Sequence, residues 1–140
     1  MYTWSPYPEV DVVEIDVEHR ALGALVRRML DAMKRDDAAR TLSLGRQLAA
    51  AAGEHFAHEE SLMRDIRYPN ESRHARTHEA FLAEARLRLD IVEARGLTAE
   101  ALRWAGQLDE WFHRHVRTED MWLALALNRA RAASRPAPSR

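Results

Sequence analysis

The sequence predicts an all-α protein, an antiparallel up-down-up-down four-helix bundle with an N-terminal arm. Three observations carry this expectation. Four long stretches place apolar residues at three- and four-residue steps, the spacing of one helical face. Gly and Pro number only five each in 140 residues, too few for a turn-rich β fold. The breaks between the stretches are short, and short connections make successive helices antiparallel neighbours. The length suits one domain with one core, with residues 1–132 assigned to the bundle and residues 133–140 to a disordered basic tail.

The elements follow in order. Trp4, Pro6, Tyr7 and Pro8 mark an arm that the prolines keep from being helical, with Trp4 and Tyr7 expected to pack across an end of the core. Asp16 is the expected N-cap of the first helix, whose stripe is His19, Leu22, Val26, Met29, Leu30 and Met33. The second helix is expected from near Asp37 to about Ile66, with His55 and Glu59 on a stripe that includes Leu44, Leu48 and Leu62. Pro69 then breaks the chain and disfavours helix at Tyr68. Asn70 is the expected cap of the third helix, whose stripe holds His74, His78, Phe81, Leu82, Ala85 and Leu89, and Gly96 is its natural stop. Thr98 is the expected cap of the fourth helix, where Trp104, Leu108, Trp111, Phe112, His115 and Trp122 share a broad face. That helix is expected to run to about Ala132.

Composition excludes several function classes. A formal net charge of −1 lacks the basic footprint of a nucleic-acid binder. The absence of cysteine excludes disulfides, thiolate zinc sites and thiolate iron–sulfur clusters, which leaves His and carboxylate as metal ligands. The N-terminus has no basic start followed by an apolar run, and the longest apolar run, Met121 to Leu127, is far short of the roughly 20 residues that span a bilayer. A cytoplasmic protein without membrane contact is expected.

Residues 55–78 hold four of the seven histidines and a Glu-Glu pair. His55 and Glu59 are one helical turn apart, and so are His74 and His78, so each pair shares a face. In an up-down-up-down bundle the starts of helices one and three meet the ends of helices two and four. His19, His55, Glu59, His74, His78, His115 and Asp120 therefore fall toward one end, most of them turned inward. Buried imidazoles and carboxylates without partners are costly, and a metal centre satisfies them together. The N/O donor set suits iron, manganese or zinc better than calcium. Seven donors are too many for one ion, so two ions bridged by the carboxylates is the economical count. Asp120 fits least well: five residues after His115 is about 140° around an ideal helix, which calls for a local distortion or a bridging reach. His58 and His113 read as water-facing. Glu71-x-x-His74 and Glu110-x-x-His113 match a ferritin-like string, but the second points away from the Trp111/His115 stripe and the first puts its Glu at the very start of a helix, so this rival pairing is set aside.

The chain resembles the single-domain bacterial hemerythrins. The matching pieces are Ile15-Asp16-x-x-His19, His55-Phe56-x-x-Glu59-Glu60-x-Leu62-Met63, Tyr68-Pro69 with His74-x-x-x-His78-x-x-Phe81, and Trp111-Phe112-x-x-His115-x-x-x-x-Asp120. The resemblance runs from about Tyr2 to Trp122 and takes in Trp4. It implies a non-haem, oxygen-bridged di-iron centre. By motif position, His74, His78 and His115 would hold one iron, His19 and His55 the other, and Glu59 and Asp120 would bridge them. It further implies end-on O2 binding at the open position of the two-histidine iron, beside Trp111, Phe112 and Val116, with no protein residue needed as a general acid.

Two positions depart from the family's usual residues. Phe112 stands where many members have Leu, which would narrow the O2 pocket and alter O2 release or autoxidation. Glu18 stands where Gln commonly precedes the first ligand; an extra acid there would either stabilise ferric iron or simply face solvent, and the second is the reading taken. The expected function is reversible O2 binding for storage, delivery or sensing, by a monomer, with a separate redox or signalling partner for any output. The alternatives are a di-iron enzyme reducing peroxide or nitric oxide, and a regulatory metal-binding bundle.

Overall fold

The computed structural model describes residues 4–135, and among these every regular element is helical. Helix α1 spans Val13–Lys34, α2 Ala38–Asp65, α3 Glu71–Arg95, and α4 Ala99–His115. A π-helical segment, Val116–Asp120, joins α4 without interruption to α5, Met121–Ala133. The last three make one long helix, so the molecule is a four-helix bundle. Side chains early in α1 and α3 meet side chains late in α2 and at the end of α4, as an up-down-up-down path places them. No described helix is long and apolar enough to cross a membrane. Residues 136–140, the greater part of the expected disordered tail, lie outside the described residues.

The helix boundaries follow local chemistry, with two corrections. Asp16 is not the N-cap of α1. That helix starts three residues earlier, after an extended Val12. The Asp16 carboxylate instead reaches back to accept the backbone N–H groups of Val10 (2.8 Å) and Asp11 (3.1 Å), where Asp11 takes a positive φ of 64° to fold the arm in. Buried N–H groups need acceptors, and an acid one turn into the helix supplies them. Asn70 does not cap α3 with its side chain either; its carbonyl accepts the His74 N–H at 2.9 Å. The other caps are as expected. Asp37 accepts from Arg40 N–H, Thr98 from Ala101 N–H, and Gly96 closes α3 in the left-handed region at φ 77°.

The core has two apolar clusters. The upper one contains Leu22, Val26, Leu44, Phe56, Leu89 and Phe112. The lower one contains Val12, Ile15, Met63, Val116, Leu123 and Leu127. Trp122, expected on the inward stripe, is half exposed at 52%. From His115, ordinary α-helical steps of four and seven residues lead to Glu119 and Trp122. The π segment inserts one residue's worth of winding, so Asp120 and Leu123 take those inward places. The Thr118 hydroxyl donates to the Arg114 carbonyl at 2.7 Å, satisfying an oxygen that wider winding takes from its usual amide partner.

The arm does not cross an end of the core. It lies along the flank made by α1 and α4. Trp4 sits where Gly23 has no side chain: a Cβ there would be 3.1 Å from the indole. Tyr7 stacks on Phe112, with ring centroids 5.6 Å apart, and its hydroxyl donates to Asp109 Oδ1 at 2.8 Å.

Gly45 allows α2 and α3 to approach, since a Cβ there would lie 2.3 Å from Leu89 Cδ2 in the packed core. Gly106, in the middle of α4, faces open space. Gly106→Ala is therefore expected to stabilise the protein by about 0.5–1 kcal/mol through helix propensity. Thermal unfolding should show a rise of a few degrees, and Gly45→Ala, which must displace Leu89, should show no such gain.

Candidate metal centre

Between the two apolar clusters lies a polar layer. His19, His55, Glu59, His74, His78, His115 and Asp120 are all buried there. Each of these residues enters the layer from the helix expected for it.

The layer has two overlapping halves. Glu59, His74, His78, His115 and Asp120 bring one donor atom each within 4.8 Å of the others. His19, His55, Glu59 and Asp120 do the same. Both halves use the same two carboxylates, and each carboxylate divides its oxygens between them. Asp120 Oδ1 lies 3.1 Å from the Nε2 atoms of His74 and His115, while Oδ2 lies 3.0 Å from His19 Nε2. Glu59 Oε1 lies 3.1 Å from His78 Nε2, while Oε2 lies 3.3 Å from His55 Nε2. The doubt that spacing cast on Asp120 is removed by the π segment, which turns this residue onto the face of His115.

Carboxylates hold the imidazoles from outside. His55 Nδ1–H donates to Glu18 Oε1 at 2.7 Å, and His78 Nδ1–H donates to Glu60 Oε2 at 3.1 Å. Glu119 Oε2 lies 2.9 Å from His115 Nδ1, as a close ionic contact rather than an aligned hydrogen bond. A carboxylate only accepts, so each of these contacts puts the proton on Nδ1 and leaves Nε2 as an electron-pair donor facing inward. Glu18 therefore does not face solvent. It is two-thirds buried and its other oxygen accepts from His58 Nδ1 at 2.7 Å, which makes His58 a half-buried partner of that acid. Glu18, Glu60 and Glu119 were not legible as partners, although each stands beside an expected ligand in sequence. His113 lies outside both halves, 3.8 Å from the buried Asp109.

Aromatic rings wall the layer. Phe56 stacks on His78 at 3.9 Å and 6°, and Trp111 on His115 at 4.5 Å and 11°. Of the three residues expected around O2, Trp111 is thus against a site histidine. Phe112 belongs to the upper cluster and Val116 to the lower one.

The residues fit a metal. Neither oxygen of Glu59, which is wholly buried, has an aligned hydrogen-bond donor, and both ring nitrogens of His19 lack one too. Orphaned buried polar atoms of this kind are costly, and coordination satisfies them. Donor atoms 3.0–3.3 Å apart are also spaced as neighbouring ligands about 2.1 Å from a common ion.

The electrostatics point the same way. Burial pulls the His55 pKa down, but the hydrogen bond to Glu18 and the close carboxylates of Glu59 and Asp120 outweigh it and lift it to about 10. His115 is likewise lowered by burial and raised more by Asp120, Glu119 and Glu59, to about 9. Glu59 and Asp120 are pushed up by burial, yet the surrounding imidazoles bring both below the usual carboxylate range. The layer thus demands positive charge, either as bound protons or as cations.

The comparisons with known proteins agree. The model of the hemerythrin HHE cation binding domain matches residues 10–127. Bacteriohemerythrins of Pseudomonas aeruginosa and Pseudomonas paraeruginosa are each 28% identical to this chain over 120 residues, covering 84% of it and 75% of their own length.

Without metal, stability should follow these protons. The raised imidazoles contribute fully below their ordinary value of 6.5, and that contribution is lost as pH rises through about 9 to 10. The depressed carboxylates contribute above their ordinary values of 4.5 and 3.8, and that part is lost as pH falls below them. Urea unfolding of the chelator-treated protein should therefore show a maximum between about pH 5 and 7, and metal uptake near pH 7 should release protons measurable with an indicator dye.

Proposed function

The chain belongs to the hemerythrin HHE cation-binding family, and from that premise we propose that it holds a non-haem di-iron centre and binds O2 reversibly. The observation that carries this reading is the sharing of Glu59 and Asp120 by two donor clusters. Two overlapping clusters that divide the oxygens of two carboxylates suit a pair of ions better than one. In this reading His74, His78 and His115 hold one iron, His19 and His55 hold the other, and Glu59 and Asp120 bridge them. The bundle of residues 1–132 is the functional unit.

The iron pair, when bound, supplies the redox chemistry of reversible O2 binding. The rest is the work of this chain. Three histidines on one side and two on the other leave the His19/His55 side with fewer protein donors, so a small ligand belongs there. Glu18 fixes the ring of His55 on that side. The two apolar clusters keep bulk water from the layer, which favours release of O2 unchanged over its further reduction.

Reduction under anaerobic conditions followed by O2 titration tests the reading. Close to two irons per chain are expected, with a charge-transfer band that appears with O2 and disappears when O2 is removed. His74→Ala should lose one iron and the band. Absence of iron after reconstitution would sink the reading, and steady turnover of peroxide or nitric oxide would assign the centre to catalysis instead.

Glu18→Ala should keep the fold and weaken iron binding by about 10- to 100-fold, the usual effect of removing an outer partner of a ligating histidine. Iron content after dialysis against graded chelator measures it. Unchanged retention would mean that Glu18 contributes only to packing.

A further inference from the structure

Between α3 and α4 the surface opens into a cavity of about 600 Å³ that the O2 reading does not use. Its floor is Phe81, Trp104, Leu108 and Trp111. Arg73 and Arg76 stand at its rim, both exposed, and no carboxylate lies within ion-pair distance of either among the described residues. The acid at the rim, Glu84, is already committed: it accepts from Arg88 Nε at 2.8 Å. The cavity therefore pairs an aromatic floor with two uncompensated guanidinium groups. Indole faces stack on planar rings, and guanidinium groups pair with phosphate or carboxylate. A volume of this size suits a ligand of a few fused rings.

The floor also leads inward. Trp111 is half-buried in the cavity and stacks in parallel on the His115 ring behind it, with centroids 4.5 Å apart. His115 Nε2 is one of the donor atoms of the three-histidine half. The other face of Trp111 is covered by Phe81, with centroids 4.4 Å apart, so a planar ring on this floor is separated from the candidate metal centre by three stacked side chains.

We propose that this cavity binds a phosphorylated tricyclic electron carrier of the flavin mononucleotide type, and that the reduced carrier returns the ferric form of the centre to the ferrous form through Phe81, Trp111 and His115. The proposal rests on the di-iron reading, since an O2-binding iron pair that autoxidises needs two electrons to bind O2 again. The ring system lies on Trp104 and Phe81, and the phosphate meets Arg73 and Arg76. The electrons balance: the reduced flavin gives up two in single steps, each ferric ion takes one, and the flavin leaves oxidised with its protons released to water.

The test uses binding and reduction separately. Oxidised flavin mononucleotide is titrated into the metal-free full-length chain, and quenching of its fluorescence is followed. Riboflavin, the same ring without the phosphate, is the control. Saturable quenching by flavin mononucleotide is expected, with riboflavin at least about tenfold weaker, the worth of one charge-assisted contact. Ala80→Glu puts a negative charge on the exposed wall of the cavity. It should leave the thermal unfolding curve unchanged and abolish the preference for the phosphorylated ligand, as should Arg73→Ala with Arg76→Ala. In the iron-loaded chain, Ala80→Glu should slow reduction by reduced flavin mononucleotide about tenfold or more and leave reduction by dithionite unchanged. Equal binding of the two flavins, equal binding by wild type and Ala80→Glu, or reduction only by a protein donor would overturn the proposal. Loss of flavin binding in a chain that still takes up iron and shows the O2 band counts against the cavity alone. A chain that takes up no iron overturns the electron transfer along with the di-iron reading, while the quenching result still decides the binding site.

Discussion

Two carboxylates with no access to water, Glu59 and Asp120, set the terms for this molecule. A buried carboxylate is tolerated only beside positive charge or strong donors. Five imidazoles, drawn from all four helices, answer that demand. The bundle is accordingly stratified: an apolar storey, a charged storey, and a second apolar storey. Packing of the apolar storeys fixes the height at which each histidine enters. The charged storey then fixes helix rotation, because a helix turned away from the centre would leave one of the acids uncompensated.

Function follows from how the imidazoles are held. Outer acids on His55, His78 and His115 choose the tautomer, and flat contacts from Phe56 and Trp111 fix the ring planes of His78 and His115. His19 and His74 have no such acid on Nδ1. The two halves of the layer are therefore unequal in donor count and in how firmly their rings are held.

Much of this was legible from sequence. Helical spacing gave the four helices, and the i,i+4 pairs His55/Glu59 and His74/His78 gave the heart of the site, because a single turn is enough to relate those residues. What required more than spacing stayed hidden. Glu18 and Glu60 touch imidazoles on neighbouring helices, and only packing relates residues so far apart in the chain. Glu119 sits one turn after His115, but on α-helical steps it would have pointed inward itself. The wider winding of residues 116–120 puts Asp120 in that place and moves Glu119 to the outside of His115. The inward reading of Trp122 failed for the same reason. The arm misled because spacing does not reveal that the missing side chain of Gly23 is what admits Trp4.

The segment from Val116 to Asp120 acts as a frameshift written in backbone. Upstream, the fourth helix is read in one phase; downstream, in another. Rewinding these five residues as regular α-helix, with none removed, would rotate everything beyond them by about 100°, bringing Glu119 and Trp122 to the interior and sending Leu123 to water. Substitutions at exposed Arg117 would leave the phase intact. Removing one outward residue together with the wide turn would instead keep Asp120 and Leu123 on the inward face, so the segment amounts to a one-residue insertion that the backbone absorbs by winding more widely.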